Sequence, residues 1–150
     1  MIRLATVHDV PTLARLMAES ALLQRYRTTY EGARSSLESA LATGDALLVA
    51  DQPVTAFAWL TFAPRMLNGA AYLRLLLVAQ PGQGVGAGLL REAEHQSSSR
   101  AKHLYLLVTT DNAAARRFYE RHGYRHVGDL PGLVWPDLDE ALYYKTLATE

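Results

Sequence analysis

The sequence predicts an α/β protein of the α+β kind: a mixed, mostly antiparallel sheet flanked by helices. Three observations carry that expectation. Two apolar runs, residues 46–50 and 54–62, lie either side of the turn Asp51-Gln52-Pro53, and Asn68-Gly69 is a hairpin signal leading into a third run, 71–78. That third run ends in Leu75-Leu76-Leu77-Val78 and passes through Gly82-Gln83-Gly84-Val85-Gly86-Ala87-Gly88 into an amphipathic pattern. The first strands therefore pair as hairpins, and the helices are left to cover the sheet faces.

The other elements follow in order. Residues 2–5 read as a short strand. Asp9 suits an N-cap with Pro11 in the first turn, and Leu13, Leu16 and Met17 fall on one helical face. Ser35-Ser36-Leu37-Glu38 matches a capping box, opening a short helix that Gly44 closes. After the glycines a helix is expected over 84–96, ending near Ser97-Ser98-Ser99. A strand over 104–108 and a helix over 112–122 come next, with Gly123 as left-handed cap. Strands over 124–127 and 141–147 finish the sheet, with 130–139 looping between them.

Composition narrows the classes. A chain of 150 residues, 49% hydrophobic and 20% charged, is enough for one domain, 1–150, with its own core. Basic and acidic residues balance at 15 each, which argues against a nucleic-acid surface built on bulk charge. The absence of cysteine removes disulfides, thiolate metal sites and a cysteine nucleophile. Met1-Ile2-Arg3-Leu4-Ala5 lacks the apolar run of a signal peptide, and no segment has the apolar length of a membrane span; the expected setting is cytoplasmic, without a membrane partner.

A strand running through glycines into a helix builds an anion site. The first helical N–H groups have no intrahelical acceptor, the peptide dipoles add partial positive charge, and glycine lets the backbone approach phosphate closely. Gly82-Gln83-Gly84-Val85-Gly86-Ala87 satisfies the dinucleotide fingerprint G-x-G-x-x-A, with Asp111 as a later acid. The topology opposes that reading, because hairpins precede the glycines and too little chain follows for a doubly wound sheet. No lysine follows the glycines as in a P-loop.

Gln83-Gly84-Val85-Gly86-Ala87-Gly88 resembles the Q/R-x-x-G-x-G/A signature of the GNAT acetyltransferase superfamily. Asn112-Ala113-Ala114-Ala115-Arg116-Arg117-Phe118-Tyr119-Glu120-Arg121-His122-Gly123-Tyr124 resembles its second motif, N-x-x-A-x-x-F-Y-x-x-x-G-F/Y. The opening Ile2-Arg3-Leu4-Ala5-Thr6 with Asp9 and the closing Leu142-Tyr143-Tyr144-Lys145 are similar to the family's ends, so the likeness covers nearly the whole chain. One spacing departs: Pro81 precedes Gln83 by two positions rather than three.

The resemblance implies the GNAT acyl-CoA N-acyltransferase fold and transfer of an acetyl group from acetyl-CoA to a primary amine, by direct attack in a ternary complex and without a metal. It implies that Leu77, Val78 and Ala79 offer backbone groups to pantetheine in the gap beside a splayed parallel strand. The N–H groups of Gln83, Gly84, Val85, Gly86, Ala87 and Gly88 would bind the pyrophosphate, and one near Val78 would polarise the thioester carbonyl. Asn112 and Ala115 would hold the pantetheine end, with Tyr119 beside the sulfur as general acid. Asn112 and Tyr119, seven positions apart, share a helical face; Phe118 is turned about 100° from Tyr119, which predicts Phe118 inward and Tyr119 toward the cleft. A simple cap remains the other reading of Asn112, and an ordinary core aromatic on an amphipathic helix is the other reading of Tyr119.

Energetics qualify those roles. A phenol near pKa 10 giving its proton to a thiolate of pKa about 8.5 runs uphill by roughly 2 kcal/mol in water. An amine of pKa about 10.4 costs roughly 4–5 kcal/mol to deprotonate at neutral pH. Relatives place a Glu on the strand before the glycines, whereas Ala71-Tyr72-Leu73-Arg74-Leu75 holds no carboxylate. A water chain, Asp111 or an acceptor of low pKa can meet the need. Arg74 either binds an acidic group on the acceptor or sits on a solvated face.

The five histidines form no cluster; Gly123 separates His122 from His126, and His8, His95 and His103 stand alone. Arg116, Arg117 and Arg121 read as a charged, solvated helix side. In relatives the segment holding Arg25, Tyr26, Arg27 and Tyr30 and the late loop with Trp135 shape the acceptor pocket, so the resemblance implies an aromatic-lined pocket there; ordinary surface tyrosines are the other reading. The missing carboxylate keeps a second function open, a CoA-binding regulatory or scaffold module without catalysis. Exposed strands at the C-terminal end allow a homodimer.

Overall fold

The computed structural model describes residues 1–148, with backbone alone at 63–65. In chain order the elements are β1 (Ile2–Leu4), a 3-10 turn (Val7–Asp9), α1 (Val10–Glu19), α2 (Ala21–Arg25), α3 (Tyr30–Thr43), β2 (Ala46–Ala50), β3 (Ala56–Met66), β4 (Ala70–Val78), α4 (Val85–Ser98), β5 (His103–Thr109), α5 (Ala113–Arg121), β6 (Arg125–Trp135) and β7 (Leu138–Thr146). Seven strands form one sheet in the order β1-β2-β3-β4-β5-β7-β6, with β4 and β5 parallel. The chain divides into two compact units, Met1–Thr61 with Arg74–Gln96, and Phe62–Leu73 with Ser97 onward.

In the first unit, α1 and α3 cover one face of β2 and β3. Leu13, Ala14 and Met17 of α1 meet Leu37 and Ala40 of α3 over Leu47, Val49, Phe57 and Trp59. Leu13 and Met17 share a face as expected, and each fully buried side chain of this size stabilises by about 1.5–3 kcal/mol. Tyr30 is partly buried, packed against the same cluster.

One helix start stands where expected without its capping bond, and another differs. Asp9 occupies the N-cap position of α1 with Pro11 in the first turn, but its side chain makes no cap hydrogen bond there. It closes a capping box instead: Thr6 N–H donates to its Oδ2 at 2.7 Å, and Thr6 Oγ1 accepts from His8 N–H at 3.3 Å. Arg3 grips the same carboxylate with both terminal nitrogens at 2.9 Å and reaches Asp51 Oδ2 through Nε at 2.7 Å. Helix α3 begins five residues before the expected box, because Thr29 caps it by accepting the Gly32 N–H at 3.1 Å. A Cβ at Gly32 would lie 3.1 Å from that capping oxygen, so the glycine makes room for the cap and is no helix breaker. Glu38 pairs with Arg34 at 3.0 Å, one turn back, and Gly44 closes the helix left-handed, as expected.

The Arg3 cluster carries a pH dependence. The Arg3 guanidinium holds the Asp9 carboxyl down to about 2 from 3.8, so the native state binds that proton less tightly than the unfolded chain. The stability it contributes is complete above about pH 4 and is lost as pH falls toward 2. In thermal melts, Asp9→Asn is expected to lower the midpoint at pH 7, with the gap to the parent closing as pH approaches 2. A gap that stays constant across that range would remove the pair from the acid response.

In the second unit, β5 pairs antiparallel with β7 from His103↔Thr146 to Thr109↔Glu140, and β6 pairs with β7. The expected loop over 130–139 shrinks to a turn at residues 136–137, because β6 runs on to Trp135 and β7 starts at Leu138. Pro131 and Gly132 look like breakers, yet β6 is the edge strand, where a missing N–H costs no ladder bond. The register slips between Leu130 and Trp135, and the Gly132 N–H there finds Asp139 Oδ1 at 2.9 Å. Among the described residues, no helix is long and apolar enough to cross a membrane.

Candidate functional site

The parallel register of β4 on β5 runs over Ala71↔Leu104, Tyr72↔Tyr105 and Leu73↔Leu106. Within it the rings of Tyr72 and Tyr105 stack at 4.7 Å and 7°. Past Leu73 the pleat of β4 is irregular. Arg74 lies over Trp59, and its neighbour Leu75 packs into the same α1–α3 cluster, although consecutive strand residues normally point to opposite faces. Leu77 is partly buried against that cluster too. Val78 ends the strand, and the Ala79 N–H is committed to Thr55 C=O at 2.9 Å, which leaves Ala79 its carbonyl to offer.

The glycine turn opens the backbone at two positions. Gly82 (φ 93°) and Gly84 (φ 75°) both adopt the left-handed region, and a Cβ built on either meets nothing within 4 Å. Gln83 between them is exposed. Helix α4 starts at Val85, and Gly88 N–H bonds to Gly84 C=O at 3.1 Å. That bond begins the intrahelical ladder, so the N–H groups of Val85, Gly86 and Ala87 precede it. The Gly88 N–H, expected to face a ligand, is committed within the helix instead. Leu89, Leu90 and Ala93 are fully buried and anchor the helix behind the turn.

In the second unit, Asn112 is the N-cap of α5, its Oδ1 accepting the Ala115 N–H at 3.2 Å. Its amide NH2 remains for another partner, so the cap and binding readings are compatible. Tyr119 is the buried residue of α5, 8% exposed, and burial pushes its phenol pKa up. Phe118 is the less buried of the two: it is half-buried, against the His122 ring at 4.5 Å and edge-on to Tyr119 at 5.2 Å. The cause lies at the helix end. Gly123 N–H bonds to Glu120 C=O and Tyr124 N–H to Tyr119 C=O, a Schellman cap whose apolar contact is Tyr119 against Tyr124 at 5.7 Å.

A polar tie fixes α5 on β7. Tyr143, fully buried, donates its OH to Glu120 Oε2 at 2.8 Å and accepts from Arg116 Nε at 3.0 Å. Arg116 also donates to Thr110 C=O at 2.9 Å, so it is a structural cation and not part of a solvated side. Sequence reasoning missed this tie, although Arg116 and Glu120 stand one helical turn apart. His122 and His126 go to separate partners, Phe118 C=O at 2.8 Å and Asp129 Oδ1 at 2.7 Å. Among the described residues, no three His, Cys, Asp or Glu side chains gather to hold a metal ion.

The model of the acetyltransferase (GNAT) family matches residues 17–124. The chain belongs to that family. Solved structures repeat the fold of this GNAT chain almost end to end. Ribosomal-protein-alanine N-acetyltransferase from Brucella melitensis has a TM-score of 0.80 at 22% identity, covering 98% of this chain and 99% of its own. An N-acetyltransferase from Staphylococcus aureus gives 0.79 at 18% identity, over 99% and 98%. YncA from Salmonella typhimurium, solved with its cofactor acetyl-CoA, gives 0.77 at 18% identity, over 100% and 95%. At these identities the likeness speaks for the fold.

Proposed function

We propose that this GNAT protein transfers the acetyl group of acetyl-CoA to a primary amine by direct attack in a ternary complex. The observation that carries the reading is the turn from Gly82 to Ala87. Two left-handed glycines open the backbone, and three unladdered N–H groups follow at the start of a 14-residue helix. Those residues fit a diphosphate. Family membership and a neighbour solved with acetyl-CoA support the choice of ligand.

Bound acetyl-CoA supplies an activated acyl group. Leu77, Val78 and the Ala79 carbonyl present backbone groups to the pantetheine amides, and Asn112 contributes the amide NH2 that its capping bond leaves over. Ala115, which donates that capping bond, keeps the side of α5 small. Tyr119 holds a neutral phenol, a hydrogen-bond donor to the departing sulfur. The absence of a carboxylate in Ala71–Leu75 favours one alternative, a CoA-binding module of the same fold without catalysis.

Calorimetric titration with acetyl-CoA, followed by thiol release with a panel of amines, tests both readings. Saturable binding with amine-dependent thiol release is expected. Binding without release from any amine supports the module, and absence of binding ends both.

A further inference from the structure

A cavity of about 230 Å³ opens beside α3 within the first unit, where Ser35, Ser36 and Ser39 share its lining with Asp45, Trp59 and Arg74. Its two charges are arranged about one indole. The Arg74 guanidinium carbon lies 4.4 Å from the centre of the Trp59 ring. The Trp59 Nε1–H donates to Asp45 Oδ2 at 2.9 Å, and Thr61 Oγ1 donates to the same oxygen at 3.2 Å. Trp59 itself is 2% exposed, so this platform is fixed by the core behind it. Among the described residues, Arg74 and Asp45 form no ion pair with each other, and no protein acceptor takes an Arg74 N–H. The three serine hydroxyls are equally without a protein partner.

We propose that this cavity binds a small zwitterion, a molecule carrying one carboxylate and one ammonium group. The Arg74 fork of N–H donors matches a carboxylate. Asp45 Oδ1, which accepts no hydrogen bond from the described residues, matches an ammonium. The serines accept from one or donate to the other. A singly charged ligand leaves one wall charge unanswered, whereas a zwitterion answers both. The volume lies below the roughly 300–1,000 Å³ of sites for drug-sized molecules, which sets the class at amino-acid size. The inference goes beyond acetyl transfer and does not rest on it.

The test is calorimetric titration of the full chain with glycine, β-alanine, 4-aminobutyrate and 6-aminohexanoate, with butyrate and butylamine as single-charge probes. At least one zwitterion is expected to saturate, with both single-charge probes at least tenfold weaker. Arg74→Met and Asp45→Asn, each checked for an unchanged melting midpoint, are expected to weaken that zwitterion at least tenfold. Thiol release from acetyl-CoA on adding the bound zwitterion marks it as acceptor; a changed rate with a second amine marks it as effector, and either supports occupancy. No saturation by any of the four, equal binding of butyrate or butylamine, or full affinity in both variants overturns the proposal.

Discussion

Tyr119→Phe is expected to lower turnover at least about tenfold while leaving acetyl-CoA affinity within about twofold. The variant keeps the ring that packs edge-on to Phe118 at 5.2 Å and Tyr124 at 5.7 Å, and so keeps the Schellman end of α5. What it loses is one O–H donor. A hydrogen bond to a group that gains charge only as the carbon–sulfur bond breaks is worth about 1.5–3 kcal/mol, or about 10- to 100-fold in rate. Loss in kcat with unchanged binding is the mark of an interaction made in the transition state. Burial raises the phenol pKa and would raise that of a desolvated thiol in the same direction, so the uphill gap of roughly 2 kcal/mol between them survives burial. Tyr119 therefore acts chiefly by hydrogen bonding. Its neutral form persists to higher pH than that of a free phenol, so the alkaline side of the pH–rate profile should show no break from Tyr119 below about pH 10. Unchanged turnover in the variant would take Tyr119 out of the mechanism.

What the sequence made legible was whatever a local pattern dictates. The strand-to-glycine-to-helix passage, the Asn112 cap and the Gly123 terminus each depend on a few adjacent residues, and each stands where their spacing put it. The start of α3 was misplaced because two cap-like patterns competed. Thr29 won by presenting its oxygen to Gly32, while Glu38 found a better partner in Arg34. The extension of β6 to Trp135 was hidden by Pro131 and Gly132, residues that an edge tolerates and a central strand does not. The deeper burial of Tyr119 than of Phe118 goes with the contact to Tyr124 just beyond the cap, which helical periodicity alone does not contain. The Arg116–Tyr143–Glu120 tie and the Asp45–Trp59–Arg74 platform join residues far apart in sequence, and their geometry exists only once the strands are in register.

Gly84→Val and Gly88→Ala should separate sharply, although both alter the same motif. At Gly84 the backbone stands at φ 75°, where an L residue is strained by about 1–2 kcal/mol and a β-branched one by more. Open space around the position removes any clash, so the turn relieves the strain by relaxing toward negative φ. That relaxation re-aims the N–H groups that follow. Charge-assisted hydrogen bonds to phosphate contribute about 1.5–3 kcal/mol each, and losing one or two weakens acetyl-CoA by about 10- to 20,000-fold. Gly88 is helical, its N–H already serves Gly84 C=O, and an added Cβ meets only Ile2 Cδ1 at 3.7 Å and Arg91 Nη2 at 3.9 Å. Alanine there gains about 0.8–1 kcal/mol of helix propensity, a rise of about 2–4 °C in melting midpoint for a chain of this size. Acetyl-CoA affinity should stay within about twofold. Calorimetric titration and thermal melts of the two variants side by side decide the matter: comparable affinity loss in both, or in neither, would mean that the amides behind Gly84 do not hold the diphosphate.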